Sequence, residues 1–160
     1  MLKRDYEGQV CSIARALEIV GERWTLLIVR DALLGVRRFD DFQRSLGIAR
    51  NVLTERLGRL VEEGVLRRVP TAERADRFDY RLTDKGRDLA VALSALREWG
   101  DRHLAEAPPV LVRRRSDGHP VVTAFGPEGS ADALLVTDVE AVRGPGWPRH
   151  HPPRDHATSP

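Results

Sequence analysis

Four polar side chains lie together at the start of one amphipathic stretch: Arg50, Asn51, Thr54 and Glu55. They can form hydrogen bonds, and each of them matches a feature of a DNA base edge. The asparagine amide matches adenine, and the arginine can bind a guanine edge or a backbone phosphate. The threonine can hydrogen-bond or contact a thymine methyl, and the glutamate can accept a hydrogen bond from a cytosine amine. These residue types and their spacing favour contact with the major groove of DNA.

Further arginines are placed to contact backbone phosphates around that stretch. Two lie on its flanks, two precede it, and four surround the polar loop of a predicted hairpin: Arg56 and Arg59, Arg37 and Arg38, and Arg67, Arg68, Arg74 and Arg77. Glu73 and Asp76 dilute the charge of that loop, and an arginine on an amphipathic helix is often only solvated. The distribution nevertheless predicts a basic face that the net charge of +2 does not reveal.

Hydrophobic periodicity predicts the elements that position these side chains. Leu53 and Leu57 belong to an apolar stripe with helical spacing, which must face a core. A shorter helix precedes it in FDDFQRSLG, where Asp40 can cap the first turn and Gln43 can reach back, as in a capping box. Gly47 breaks the chain between the two helices. Two short helices joined by a tight turn are typical of a helix-turn-helix.

The elements on both sides complete a larger plan. Two helices are predicted within residues 11–35, and the second is apolar on nearly every side, which indicates a central position. A strand that ends at Pro70, a polar loop and an alternating strand at 78–82 predict a hairpin, or wing. Thr83 caps a long helix at 84–105. The fold class is therefore mainly α with a small β component (α+β): a winged helix-turn-helix with a long C-terminal helix for dimerisation.

The composition changes near residue 107, where Pro108 and Pro109 cannot continue a helix. The segments VLVRR, PVVTAF and ALLVTDVEAV then look like strands, whereas the last residues have too few apolar groups to offset the entropy lost on ordering. We therefore predict a winged-helix domain at 1–106, a small β-rich appendage at 107–143 and a disordered tail at 144–160.

Length and composition bound the class of protein. A chain of 160 residues with 41% hydrophobic residues suits one globular domain with an appendage. The longest apolar run, residues 26–29, is too short to cross a membrane, and the first residues have no stretch of signal-peptide length, so we expect a cytoplasmic protein. We expect no enzyme, because no catalytic triad order, phosphate-binding glycine loop or HExxH helix is present.

The chain closely resembles the HxlR-type family of bacterial winged helix-turn-helix transcriptional regulators, in the MarR-like superfamily. The resemblance covers about residues 8–104 and rests on WTLLI, RRFDDF, VLTERL, Y-LT-KG and LREWG. It implies a homodimer, paired through its first and last helices, that binds a pseudo-palindromic operator. The implied recognition helix covers about residues 49–63 and the implied wing about 67–81. Repression and activation of nearby genes are both open.

Two positions depart from the family pattern. Ala49 stands where a serine usually precedes the recognition helix, so a cap worth about 1 kcal/mol is lost. Glu55 stands where glutamine is also common, so the operator sequence cannot be carried over. The alternative to operator binding is a winged helix that binds another protein. The two alternatives differ in their dependence on salt. Binding to DNA releases counterions from the phosphates, so the affinity for DNA falls steeply as the salt concentration rises.

Cys11 is the one cysteine of the chain, and this agrees with a reducing compartment. Some family members use a cysteine at this position as a thiol switch, although Ser12 stands here where a proline usually follows. Cys11 is therefore either a redox sensor that responds to an oxidant or an inert thiol packed at an interface.

A small-molecule effector and a metal are further possibilities. Trp24 and Trp99, with Tyr6, could line a hydrophobic ligand pocket, although both tryptophans also suit core and dimer packing. The appendage resembles extensions of related regulators that carry a Cys-x-x-Cys-Gly element, but the thiols are missing here, so no zinc is inferred. The tail contains His150, His151 and His156, and a Pro-rich tail is a poor metal site. We predict neither a metal nor a cofactor.

Overall fold

The structure, a computed structural model, describes residues 10–71, 74–124 and 126–127, with the backbone alone for residues 74–76. Tyr6, the side chain of Arg74, residues 128–143 and the tail at 144–160 with its three histidines therefore lie outside the described residues. The elements follow in the order α1 (Ser12–Val20), α2 (Thr25–Leu33), α3 (Phe39–Leu46), α4 (Arg50–Glu62), β1 (Leu66–Thr71), β2 (Arg74–Leu82) and α5 (Asp84–His103). This order confirms the predicted winged helix-turn-helix.

Helices α3 and α4 form the helix-turn-helix. Gly47 ends α3 in the left-handed conformation, with φ of 62°, which glycine adopts without steric cost. Leu53 and Leu57 of α4 are fully buried in a core to which α2 contributes Ile28 and Val29. Burying one such leucine stabilises the fold by about 1.5–3 kcal/mol. The apolar stripe of α4 therefore fixes which of its faces points outward.

The start of α3 differs from the prediction. Arg38 is the N-cap residue, it makes no side-chain cap hydrogen bond, and the helix begins at Phe39. The prediction that Asp40 caps this helix was wrong: the N-cap lies two residues earlier, because Phe39 packs against the core as the first residue of the helix. Asp40 and Asp41 lie inside that turn, where a negative charge interacts favourably with the helix dipole.

The wing is the antiparallel pair of β1 and β2. The prediction that Pro70 ends the first strand was wrong, because β1 continues to Thr71 and Pro70 pairs with Phe78. The second strand also starts earlier than predicted, at Arg74. A proline lacks the N–H that a sheet uses, but edge strands and bulges tolerate it, and the register shifts between Pro70 and Thr71.

Two contacts attach the wing to the helices. The backbone N–H of Tyr80 donates to the carbonyl oxygen of Arg37 at 2.8 Å. The Tyr80 ring also meets the fully buried Phe42 ring edge to face, with centroids 6.5 Å apart. The wing is therefore fastened both to α3 and to the segment that precedes it.

Helix α5 begins as predicted. The Thr83 hydroxyl oxygen accepts a hydrogen bond from the N–H of Gly86 at 3.2 Å and donates to the carbonyl of Gly64 at 2.6 Å. Gly86 is buried, and a Cβ atom there would lie 2.2 Å from the carbonyl oxygen of Val65. This glycine lets α5 approach the start of the wing closely.

Residues 16–123 form one compact unit, which runs past the predicted boundary at 106. In its last part, the strands predicted for VLVRR and PVVTAF are reduced to one bridge between Arg113 and Pro120, so that prediction was wrong for the described residues. The large apolar side chains described in these segments, Val110, Leu111, Val112, Val121 and Val122, are exposed, so they form no core against which strands could pack. At the turn between them, the N–H of His119 holds the pKa of Asp117 below its usual value.

The other unit comprises residues 1–15 and 124–160, and the structure describes only 10–15, 124 and 126–127 of it. Its one cysteine, Cys11, is exposed, and its carbonyl oxygen accepts from the N–H of Arg15 at 3.1 Å. None of the helices in the described ranges has the length and apolar character needed to cross a membrane.

Candidate nucleic-acid interface

The first turns of α4 carry the four side chains that the sequence singled out. Arg50, Asn51, Thr54 and Glu55 are all exposed, on the side of the helix opposite the buried leucines. Ala49 is the N-cap residue and supplies no side-chain hydrogen bond. The N-cap residue therefore gives the N–H groups of this turn no side-chain acceptor, and the partial positive charge of the helix end adds to that of Arg50.

Thr54 is partly committed within its own helix. Its hydroxyl donates to the carbonyl oxygen of Arg50 at 2.8 Å, one helical turn earlier. What remains for a ligand is the methyl group and the lone pairs of the hydroxyl oxygen. In this state Thr54 can touch a thymine methyl or accept from a base amine, but it cannot donate.

Arg56 has a different place from the one its sequence position suggests. Its side chain is only 17% exposed and reaches Glu22 at 3.0 Å and Glu55 at 2.7 Å. Its Nε also donates to the carbonyl oxygen of Arg23 at 3.4 Å. Arg56 therefore ties α4 to the segment between α1 and α2. Nothing in the sequence signals this contact, because Glu22 lies 34 positions away.

Arg59, the other arginine on the flank of α4, forms an ion pair with Glu63 at 2.9 Å, one turn later in the chain. Its side chain is half exposed, and exposed pairs of this kind contribute little energy. Arg59 can therefore leave Glu63 for a phosphate at small cost.

The two flanks of α4 differ in charge. On the side of α1 and α2 lies an acidic cleft of about 520 Å³, lined by four glutamates and two arginines: Glu18, Glu22, Glu55, Glu62, Arg56 and Arg59. On the other side lies the wing-side cavity of about 370 Å³, whose described lining has three arginines, one carboxylate and aromatic walls: Arg38, Arg50, Arg77, Asp40, Phe39, Phe78 and Tyr80. Thr71 also lines it. One flank thus repels a phosphate and the other attracts it.

Arg50 is oriented towards α3. Its guanidinium carbon lies 4.7 Å from the centre of the Phe39 ring, and Nη1 lies 3.7 Å from Oδ1 of Asp40. Both the stacking and the ion pair draw the side chain over the wing-side cavity. The side chain stays 71% exposed, so a ligand can reach it.

The remaining predicted arginines lie on or beside the wing. Arg37, Arg67, Arg68 and Arg77 are exposed, and the guanidinium of Arg68 lies 5.8 Å from the centre of the Tyr80 ring. Arg38 is exposed and precedes α3. The structure therefore brings Arg38, Arg50 and Arg77 together around one cavity, and it leaves Arg56 apart from them.

The two tryptophans are not among the residues that line these cavities. Trp24 is the N-cap residue of α2, with φ of 79°, and packs half-buried against the core beneath the guanidinium of Arg23. Trp99 is 53% exposed on α5, with its ring 5.3 Å from that of His103. Neither tryptophan lines either of the two cavities flanking α4. A ligand pocket at Trp24 and Trp99 remains a prediction.

Known proteins share this architecture. An HTH-type transcriptional regulator of Mycobacterium tuberculosis, Rv3095, is 43% identical to this chain over 91% of the chain and 92% of its own length. The solved structure of PA1607, a candidate transcription factor, is 41% identical with a TM-score of 0.75, over 86% of this chain and 97% of its own. The redox regulator HypR in its reduced form is 26% identical to this chain, with a TM-score of 0.54, and the match covers 57% of this chain and 92% of HypR.

A family profile agrees with these similarities. The profile described as HxlR-like helix-turn-helix matches residues 19–108, from the end of α1 to just beyond α5. That range contains α4, the wing, the described lining of the wing-side cavity and all of the described lining of the acidic cleft except Glu18. The chain therefore belongs to the HxlR-like helix-turn-helix family and is a transcriptional regulator with a winged helix-turn-helix fold.

Proposed function

We propose that this regulator binds a pseudo-palindromic DNA operator as a homodimer in the cytoplasm, and that α4 enters the major groove with the wing beside it. The observation that carries the proposal is the outward face of α4, where Asn51 and Thr54 are exposed while Leu53 and Leu57 anchor the helix from below. A helix held in this way presents base-reading groups at a fixed depth.

A dimer is supported by an apolar surface on α5. Val91 is 66% exposed, Leu96 54% and Trp99 53%. Large apolar side chains exposed on one helix are typical of a surface that a partner covers. A second copy that covers α5 would give the protein two α4 helices, and a two-fold operator has two half-sites to receive them.

The base-reading role predicts the effect of Asn51→Ala. Loss of a bidentate contact to a base should weaken operator binding by about 1–3 kcal/mol and relax the preference at one base pair in each half-site. Footprinting on the DNA upstream of the gene, followed by anisotropy titration of the protected duplex, measures both effects. Protection should fall in two half-sites about one helical turn apart.

Asp88→Ala is the control for this experiment, because Asp88 is exposed on α5 and lines neither of the cavities beside α4. It should leave the affinity unchanged. A protein that binds no duplex at any salt concentration would overturn operator binding in favour of a protein-binding module. An Asn51→Ala variant with full affinity and unchanged preference would overturn the assignment of α4 as the reading element.

Cys11 supports a second part of the proposal, that an oxidant releases the protein from DNA. The thiol is exposed, and the similar protein HypR is a redox regulator. Hydrogen peroxide would oxidise the Cys11 thiolate to sulfenic acid and be reduced to water. Peroxide should then weaken operator binding of the wild-type protein but not of Cys11→Ser, and dithiothreitol should restore it. Equal losses in both proteins would exclude Cys11 as the sensor.

A further inference from the structure

We infer that the wing-side cavity binds one phosphodiester of the operator backbone, with Arg38, Arg50 and Arg77 as its cationic ligands. Arg50 is therefore a backbone ligand and not a reader of guanine, although it stands in the first turn of α4. This inference rests on the proposed function, and it assigns different tasks to two neighbouring residues: Arg50 contacts phosphate and Asn51 reads a base.

The geometry of Arg50 is the first support. An arginine that reads guanine must extend its fork straight into the groove, to bond O6 and N7 together. Here the guanidinium lies 4.7 Å from the centre of the Phe39 ring and 3.7 Å from the Asp40 carboxylate. Both partners belong to α3, so the side chain is turned away from the axis of α4 and towards the cavity.

The charge of the cavity is the second support. Among the described residues that line the cavity, three are arginines and one is a carboxylate, Asp40, which is 79% exposed and so is well solvated. An arginine fork suits a phosphate because it can donate two parallel hydrogen bonds to the oxygens. The acidic cleft on the opposite flank of α4 contains four glutamates and two arginines. The wing-side flank therefore has the more favourable charge for a phosphate.

The walls of the cavity are the third support. Phe39, Phe78 and Tyr80 give it aromatic sides, and Phe78 is 42% exposed. Free inorganic phosphate has no apolar group that could pack against these rings, whereas a phosphodiester in DNA carries deoxyribose carbons on both sides. The volume of about 370 Å³ suits a group of that size. The occupant is therefore a segment of backbone and not a free ion.

The test combines salt dependence with base preference. Arg50→Ala and Arg77→Ala should each weaken binding of the protected duplex about tenfold at low salt, and each should reduce the slope of log K against log salt by up to about 0.9, the contribution of one phosphate. Arg50→Ala should lower the affinity for every single-base variant of the duplex by the same factor. Arg50→Lys should keep most of the slope, because a lysine still neutralises a phosphate.

Two controls each remove an exposed arginine, one from the strand that contains Arg77 and one from the helix that Arg50 contacts. Arg81 lies on β2 and pairs with Asp79 at 3.3 Å, and Arg44 lies on α3 and pairs with Asp41 at 3.0 Å. Neither lines the cavity, so Arg81→Ala and Arg44→Ala should leave the slope unchanged. Scanning the duplex with single neutral methylphosphonates should find one position per half-site that weakens the wild type but not Arg50→Ala.

The outcomes separate this inference from the proposed function. If the wild type binds the duplex while Arg50→Ala keeps the full slope and loses preference at one base pair, Arg50 reads a base and the inference is wrong. If the slope falls equally in the controls, the cavity has no special role and the inference is again wrong. If the wild type binds no duplex at all, the proposed function fails and this inference fails with it.

Discussion

Phe42→Ala is expected to lower the free energy of unfolding by about 3–5 kcal/mol. Phe42 is fully buried, and its ring meets the Tyr80 ring edge to face, so the substitution opens a cavity between α3 and the wing. The loss should exceed that for an average core residue, because two elements lose a shared contact. Urea denaturation at one fixed protein concentration measures it, since dimerisation would make stability depend on concentration.

Ser45→Ala is the control on the same helix, because Ser45 is exposed. It should change the stability by less than about 0.5 kcal/mol. If Phe42→Ala and Ser45→Ala unfolded at the same urea concentration, the attachment of the wing through Phe42 would be wrong.

Gly86→Ala is expected to destabilise the protein by about 2–3 kcal/mol. The new Cβ would lie 2.2 Å from the carbonyl oxygen of Val65 and 2.8 Å from a methyl carbon of Leu82. The Val65 carbonyl cannot move away easily, because it accepts the N–H of Thr83 at 3.1 Å and its own side chain is buried. Thermal unfolding followed by circular dichroism measures the effect.

Gly58→Ala is the matched control, because it adds the same methyl group to the middle of a helix. A Cβ at Gly58 meets nothing within 4 Å, so the change should stabilise α4 by about 0.5–1 kcal/mol. The two substitutions should therefore shift the unfolding temperature in opposite directions. Shifts of the same sign and size would mean that α5 does not approach Val65 as described.

The fold was predictable where a local pattern decides it. The leucines of α4 repeat with helical spacing, Gly47 stops α3, and Thr83 caps α5, and each of these signals acts within a few residues. Packing overrode the local signals elsewhere. Phe39 begins α3 ahead of the expected cap because its ring packs against the core. Pro70 stays in β1 because each strand of a two-stranded wing is an edge strand, and edge strands tolerate proline.

The candidate site was predictable as a face but not as a set of roles. Periodicity alone places Asn51 and Thr54 opposite the buried leucines. The neighbours of an arginine come from tertiary structure, so no pattern could show that Arg56 meets Glu22 or that Arg50 stacks on Phe39. Similarly, the appendage has strand-like alternation, yet the described part of it has no core to hold strands.

The hydrogen bond from Tyr80 to the carbonyl of Arg37 bears on the thermodynamics of association. A hairpin joined to its domain only at its ends would sample many orientations. Binding a ligand would restrict it to one of them and would cost conformational entropy. Here folding has already removed that conformational freedom, so an encounter with a rigid partner sacrifices less entropy in the hairpin. The wing is held at Tyr80 by the same chain segment that leads into α3.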